Sequence, residues 1–418
     1  MACFLIDGGR KLEGEVYCKG AKNAVLPILA ASILCPKVVL TNVPKLSDVQ
    51  EAFKILEFLG CEIQREEDKA VIETYQLKNL PLDSDLTSKM RSSVIFLGSL
   101  LARFKMSQVS YPGGCELGAR PIDMHLDAFR KLGADVMDIH GSIKCVCRYN
   151  NLNGSSITLP FPSVGATENI ILASVLAKGE TDIINPAREP EIEDLVSFLN
   201  RAGADITIER GSIHIKGVRE LKEVSYNIMP DRIEAVSYMA FAAANEGKVL
   251  IRNCCPGHFE SVTASFCEMG CNVEIYKSSV YISAPKKLKA VRVSTMPYPG
   301  FPTDAQSLIM ADLLKAEGTS VIVENIFDSR FKVSEEFIKL GASVDIVGRA
   351  AIIKGKDEIY SADVTARDLR GGAALVAACL SAKGKSCVRG ISHIDRGYEN
   401  MEGNLRSIGA SIERISGD

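Results

Sequence analysis

Leu59-Gly60-Cys61-Glu62-Ile63 is a five-residue phrase that the chain repeats. It returns as Leu132-Gly133-Ala134-Asp135-Val136, Ala202-Gly203-Ala204-Asp205-Ile206, Met269-Gly270-Cys271-Asn272-Val273, Leu340-Gly341-Ala342-Ser343-Val344 and Ile408-Gly409-Ala410-Ser411-Ile412. The six glycines are spaced by 73, 70, 67, 71 and 68 residues. A nearly constant period marks a repeat architecture. This period is too long for a simple solenoid, and six copies suggest a closed or paired arrangement.

Each copy has the same parts. An amphipathic helix precedes the phrase, as at Asp48–Phe58, Met124–Leu132 and Glu191–Ala202. The glycine stops that helix, and a strand follows. Upstream lies a second helix of different character: Ala24–Cys35, Ser93–Ala102, Ile170–Ala177, Val236–Ala244, Ala305–Leu313 and Gly372–Ala382. Five of these spans carry no charge, and the fifth in order carries only Asp312. A helix that is apolar on every face must be enclosed. The simplest packing is three units per domain, with these helices inside and the sheets outside.

Bulk properties agree. At 418 residues the chain exceeds one usual core, so two domains are expected. A net charge of −3 gives no basic field for nucleic acid. The 13 cysteines are scattered, and no basic leader precedes the first of them. The expectation is a cytoplasmic protein with free thiols. No uncharged apolar run reaches the ~18 residues that span a bilayer. Cys254, Cys255, His258, Cys267 and Cys271 are dense but lack paired C-x-x-C knuckles, so they read as packing rather than a metal site. Cys145 and Cys147 alternate on a strand and read the same way.

The polar residues lie where the inner helices start. They are Lys22-Asn23, Arg91-Ser92, Ser163 to Thr167, Asp231 to Glu234, Thr303-Asp304 and Asp368 to Gly372. A helix N-terminus has unpaired N–H groups and attracts anions. Asp and Ser there can be simple caps. Lys22, Arg91 and Arg370 cannot, because cations oppose the helix dipole at that end. They are better explained by a bound phosphate or carboxylate.

One connection stands apart. Residues 111–125 read Tyr-Pro-Gly-Gly-Cys-Glu-Leu-Gly-Ala-Arg-Pro-Ile-Asp-Met-His. Counted to the repeat glycine, five connections run 18 residues from Asn42, 18 from Asn185, 17 from Asn253, 16 from Asn325 and 19 from Gly390. From Pro112 the count is 21. The longest connection therefore carries a thiol, Cys115, among three glycines, followed by Arg120, Asp123 and His125. A lid over an anionic substrate is expected there. The fifth and sixth connections add Arg330 and Arg396.

These residues together carry a family resemblance. Gly20-Ala21-Lys22-Asn23-Ala24, Pro112-Gly113-Gly114-Cys115, Gly118-Ala119-Arg120-Pro121 and Ser163-Val164-Gly165-Ala166-Thr167 are followed by Pro230-Asp231-Arg232-Ile233-Glu234, Pro302-Thr303-Asp304, Asp368-Leu369-Arg370 and Ile394-Asp395-Arg396-Gly397-Tyr398-Glu399. In this order, from about residue 7 to 415, the chain resembles the UDP-N-acetylglucosamine 1-carboxyvinyltransferases, the enolpyruvyl transferases of peptidoglycan synthesis. The resemblance implies the α/β fold of that family, a two-domain inside-out α/β barrel of six βαβαββ repeats. It implies domains of 22–229, and of 1–21 with 230–418, with the active site in the cleft between them. The implied reaction moves the enolpyruvyl group of phosphoenolpyruvate to the 3′-hydroxyl of UDP-N-acetylglucosamine and releases phosphate. It is the first committed step of peptidoglycan synthesis. No metal, organic cofactor, membrane or obligate protein partner is implied.

The same resemblance assigns roles. Cys115 is the expected proton donor, able to form an adduct with phosphoenolpyruvate and open to alkylation by fosfomycin. Asp304 is the expected base at the sugar hydroxyl. Lys22, Asn23, Arg120 and Arg396 would hold the phosphate, and Arg330 and Arg370 the carboxylate. Asn23, Arg91, Arg120, Pro121, Ile122, Asp123, Met124, Ser163, Val164, Gly165, Asp304 and Ile326 would line the nucleotide-sugar side. Asp368 is expected to orient a neighbouring arginine, and His125 to serve either structure or the uridine side. One departure is Phe161, where some members carry a lysine; a diphosphate contact is then lost or supplied by Arg120 and helix N–H groups. A shikimate-pathway enolpyruvyl transferase would share the fold but lack the Gly-Gly-Cys loop. A non-catalytic nucleotide-sugar sensor would have lost Cys115, Asp304 or the arginines, all of which are present.

Overall fold

The six repeat glycines sit where helices end. In the computed structural model, which describes residues 2–111, 122–139 and 141–416, each has a positive φ, from +85° at Gly341 to +102° at Gly203 and Gly409. Glycine adopts that conformation without a steric cost. The next amide then folds back on the last helical turn. Cys61, Ala204, Cys271, Ala342 and Ala410 donate their N–H groups to the carbonyls of Leu56, Leu199, Phe266, Phe337 and Leu405 at 3.0 to 3.2 Å. The helices ended in this way are Ser47–Phe58, Asp123–Lys131, Pro190–Arg201, Glu260–Glu268, Ser334–Lys339 and Met401–Ser407. Each buries one face. Pro190–Arg201 sinks Ile192, Leu195, Val196, Phe198 and Leu199.

The inner helices are Lys22–Ser32, Phe96–Phe104, Val164–Ser174, Arg232–Ala244, Thr303–Leu313 and Leu369–Ser381. They are enclosed almost end to end; Arg232–Ala244 is buried from Arg232 to Ala243. Five of them start earlier than their charge-free spans suggest, because polar side chains in their first turns find partners inside the protein. Asn169 is one case. Its Oδ1 accepts from the Gly98 N–H at 2.9 Å, and its Nδ2 donates to the Val94 carbonyl at 3.0 Å. The second repeat differs in entering its helix through a 3₁₀ turn, Arg91–Ile95.

Each repeat carries one sheet. In the fifth, Arg292–Ser294 runs parallel to Thr319–Val323, which pairs antiparallel with Ala350–Lys354, itself paired with Ser343–Val347. With the two helices between them, these strands make the βαβαββ unit. In the second repeat the first strand shrinks to a single bridge, Leu82 to Val109. Pro81, which has no N–H to give a ladder, precedes it. Four of the strands end on asparagines that donate Nδ2 to a neighbouring carbonyl: Asn42 to Ile228, Asn185 to Leu159, Asn253 to Cys18 and Asn325 to Thr295.

Chain contacts divide the described residues into two units, 20–229 and 2–19 with 230–416. Each has its own hydrophobic core. The first unit closes when Val224–Asn227 lies parallel to Lys37–Thr41. The second takes two strands from the start of the chain. Glu13–Tyr17 runs parallel to Lys248–Arg252, and Cys3–Asp7 inserts between Lys385–Arg389 and Ser411–Ile415, antiparallel to both. The described cysteines are all free. Among the described residues no helix is long and apolar enough to cross a membrane.

Asp312 breaks the apolar rule of the inner helices. Its side chain is 2% exposed, and neither carboxyl oxygen has a hydrogen-bond partner. Burial pushes its pKa well above the ordinary carboxyl range. The folded chain thus holds this proton more tightly than the unfolded chain does. Stability falls as pH rises from the ordinary carboxyl range through the folded value. Asp312→Leu should therefore stabilise the protein by about 1–3 kcal/mol at pH 8, the usual cost of a buried unsatisfied polar group. Urea unfolding at pH 8 and pH 4 checks this, and the gain should shrink at the lower pH.

Candidate active site

In the 20–229 unit, Lys22 opens the first inner helix and is buried. Its Nζ lies 2.6 Å from Oδ2 of Asp48, a first-turn residue of the following outer helix. Both side chains are at least nine-tenths buried, so the ammonium is fixed in place rather than sweeping through solvent. Asn23 beside it is half-buried. Arg91 opens the 3₁₀ turn of the second repeat. Ser163 caps the third inner helix, its Oγ accepting from the Ala166 N–H at 3.4 Å.

His125 is 6% exposed and serves this helix start from behind. Asn169 Nδ2 lies 2.8 Å from His125 Nδ1, and Asn169 Oδ1 is already taken by Gly98, so Nδ1 accepts and the proton sits on Nε2. Burial, reinforced by the Arg91 charge, pushes the imidazole down to about 4. A Cβ on Gly165 would come within 3.2 Å of the ring. His125 is thus a neutral packing wedge against the Ser163-Val164-Gly165 turn. Of its neighbours in sequence, Ile122 is buried, Met124 half-buried and Asp123 exposed.

In the other unit, Asp304 is the second residue of the fifth inner helix. Arg330 Nη2 donates to its Oδ1 at 2.6 Å, and Arg370 Nη2 to its Oδ2 at 3.3 Å. Both guanidiniums are deeply buried, whereas the Asp304 side chain is 28% exposed. Arg330 also donates Nε and Nη2 to the Thr303 carbonyl at 3.2 Å. Arg370 Nη1 donates to the Tyr398 hydroxyl at 3.1 Å. Asp368, expected to orient an arginine side chain, instead caps its helix. Its Oδ1 accepts from the Arg370 and Gly371 amides at 3.0 and 2.9 Å. Arg396 is half-buried at the end of the turn Ile391–Arg396.

Glu324 organises the loop that carries Ile326. Its carboxylate accepts from the hydroxyls of Thr295 and Thr303 and from the amides of Ile326 and Phe327, at 2.8 to 3.1 Å. Glu324, Asp48, Ser237 and Tyr398 escaped the sequence reading. Asp48 could have been suspected as the acid opening an outer helix, but its partner lies 26 positions earlier. Tyr398 stood within a quoted motif without a role. Cys115, Arg120 and Pro121, with the glycines around them, lie outside the described residues.

The Lys22–Asp48 pair gives a direct test of its burial. Removing one partner breaks a buried ion pair and should cost about 3–5 kcal/mol, as in Asp48→Ala. Replacing both, as Lys22→Met with Asp48→Leu, should cost markedly less. Denaturant unfolding of the single and double variants measures the difference.

Comparison with known proteins bears on the role of these residues. The model of the EPSP synthase (3-phosphoshikimate 1-carboxyvinyltransferase) family matches residues 6–405. UDP-N-acetylglucosamine 1-carboxyvinyltransferase 2 of Caldanaerobacter subterraneus subsp. tengcongensis is 46% identical over 418 residues, 99% of this chain and 100% of that protein. UDP-N-acetylglucosamine 1-carboxyvinyltransferase 1 of Clostridium acetobutylicum is 45% identical over 99% of each chain. Among solved structures, the enolpyruvyl transferase NikO from Streptomyces tendae superposes with a TM-score of 0.90 at 22% identity, covering 100% of this chain and 99% of that one. An EPSP synthase from Acinetobacter baumannii gives 0.76 at 18% identity, with both chains fully covered. The fold is accordingly the two-domain inside-out α/β barrel of six repeats. The chain belongs to the EPSP synthase family of enolpyruvyl transferases and, by its curated relatives, to the UDP-N-acetylglucosamine 1-carboxyvinyltransferases.

Proposed function

We propose that this chain transfers the enolpyruvyl group of phosphoenolpyruvate to the 3′-hydroxyl of UDP-N-acetylglucosamine and releases phosphate, the committing step of peptidoglycan synthesis. The observation that carries the mechanism is Asp304 held between Arg330 and Arg370. These guanidiniums are carboxylate receptors already filled by a carboxylate of the chain itself. When the carboxylate of phosphoenolpyruvate takes one of them, the corresponding oxygen of Asp304 is released. It can then accept the proton of the sugar hydroxyl. Substrate binding and base activation become one event.

The steps balance as an addition and an elimination. Asp304 takes the hydroxyl proton, the sugar oxygen bonds to C2 of phosphoenolpyruvate, and the methylene carbon receives a proton from Cys115. Loss of a proton from the resulting methyl group then restores the double bond as phosphate leaves. Lys22, Asn23, Arg120 and Arg396 hold the phosphate and stabilise the charge that builds on it. The buried Lys22–Asp48 pair supports that role by fixing the ammonium. Asn23, Arg91, Arg120, Pro121, Ile122, Asp123, Met124, the Ser163 to Gly165 helix start and Ile326 receive the nucleotide sugar. The curated relatives, 42–46% identical over nearly their full length, carry the UDP-N-acetylglucosamine name, which favours this acceptor over shikimate 3-phosphate.

Phosphate release from phosphoenolpyruvate should depend on UDP-N-acetylglucosamine, and shikimate 3-phosphate should not replace it. Asp304→Asn should lower kcat by about 10²–10⁴, the usual worth of a positioned base. Sugar-independent release, or an Asp304→Asn variant with full activity, would sink the reading.

Fosfomycin should inactivate the enzyme in a time-dependent manner. Mass spectrometry should place one adduct on Cys115. Cys115→Asp should keep turnover and resist the drug. Adduct formation on another cysteine would overturn the assignment of Cys115.

A further inference from the structure

Three hydroxyl and guanidinium groups behind Asp304 form a chain whose protons can all be placed. Ser237 Oγ lies 2.7 Å from the Ile233 carbonyl, one turn back on its own helix. A serine hydroxyl has one proton, and this carbonyl takes it. The Tyr398 hydroxyl lies 2.7 Å from the same Oγ, so Tyr398 must be the donor there. Its oxygen then faces Arg370 Nη1, which donates to it at 3.1 Å. The reverse arrangement would leave the tyrosine proton facing a guanidinium. Burial raises the Tyr398 pKa, which keeps the phenol protonated for this role. Ser237, Tyr398 and Arg370 are 0%, 4% and 3% exposed.

Arg370 is therefore held at one corner. Its Nη1 is fixed by Tyr398, and the Nε–Nη2 edge points the other way. Nη2 reaches Asp304, while the Nε–H has no acceptor among the described residues although it is fully buried. A buried donor without a partner is rare and calls for a ligand. An acceptor with two coplanar oxygens would satisfy Nε and Nη2 at once.

We infer that Tyr398, backed by Ser237, is a positioning residue that aims the Nε–Nη2 edge of Arg370 at the carboxylate of the enolpyruvyl donor. The inference rests on the proposed reaction. It goes further by giving the residues behind the arginine a specific share in substrate binding. In the proposed reaction this edge meets the enolpyruvyl donor and not the acceptor sugar, so losing the chain should weaken chiefly one substrate.

Tyr398→Phe keeps the ring and removes the hydroxyl. It should raise KM and Kd for phosphoenolpyruvate about tenfold, the equivalent of one hydrogen bond to a charged group. KM for UDP-N-acetylglucosamine should stay within about twofold of wild type on the same scale. Ser237→Ala should shift phosphoenolpyruvate affinity in the same direction by less, and Ser237→Thr, which keeps the hydroxyl, should restore it. Thermal unfolding of each variant identifies any that fail to fold, and the Ser237 pair carries the test if Tyr398→Phe is lost. An unchanged phosphoenolpyruvate affinity in a folded variant, or an equal rise for both substrates, overturns the inference. Calorimetry with phosphoenolpyruvate alone separates it from the reaction itself. A wild-type protein that binds phosphoenolpyruvate but releases no phosphate with the sugar refutes the reaction, while the affinity ratio still decides Tyr398. A protein that binds none refutes both.

Discussion

Helices with no polar face govern this molecule. Each inner helix is wrapped by protein along its whole length, so a polar group on it needs a partner from the surrounding protein unless it stands where the chain enters or leaves. The N-terminal ends offer free N–H groups and a favourable potential for anions. That is where Lys22, Ser163, Asp304 and Arg370 stand. The charged residues that these helices contribute to the candidate site stand at their starts, because the rest of each helix meets no solvent. Asp312 marks the same constraint from the other side, as a carboxyl enclosed in the last turn of its helix where no hydrogen bond answers it.

The outer shell serves these ends rather than the helix middles. Asp48 from an outer helix pairs with Lys22, Glu324 at a strand end ties Thr303 to the loop of Ile326, and Tyr398 from a connection supports Arg370. Each is buried and bonded on more than one side or held by a buried partner. Lys22, Arg330 and Arg370 are thereby held rigid and away from solvent.

The repeat was legible because its key residue answers to a local rule. A glycine that ends a helix with positive φ leaves the same mark six times, whatever surrounds it. The inner helices were legible from their lack of charge, and their starts from the polar residues that precede each apolar span. The task of Asn169 inside its helix was not legible, because Gly98 and His125 reach it from 71 and 44 positions away. Lys22, Arg91 and Arg370 could be singled out because charge at a helix start conflicts with the dipole. Their partners could not, since Asp48, Ser237 and Tyr398 act through contacts that only folding creates. Asp368 shows the reverse error, a residue assigned to a side chain that bonds two backbone amides instead.

The strand Cys3–Asp7 has a consequence for synthesis. It sits between strands ending at Arg389 and Ile415, so this sheet joins segments that lie far apart along the chain. The 20–229 unit contains all its own strands and can collapse while the ribosome is still reading the second half. The other unit cannot complete its sheets until Ser411–Ile415 is made; Glu13–Tyr17 waits unpaired for about 235 residues and Cys3–Asp7 for nearly four hundred. Such distant pairing is slow and leaves hydrogen-bonding edges open to other chains. The charges around the waiting segment, Asp7, Arg10, Lys11, Glu13 and Glu15, would keep those edges soluble in the interval.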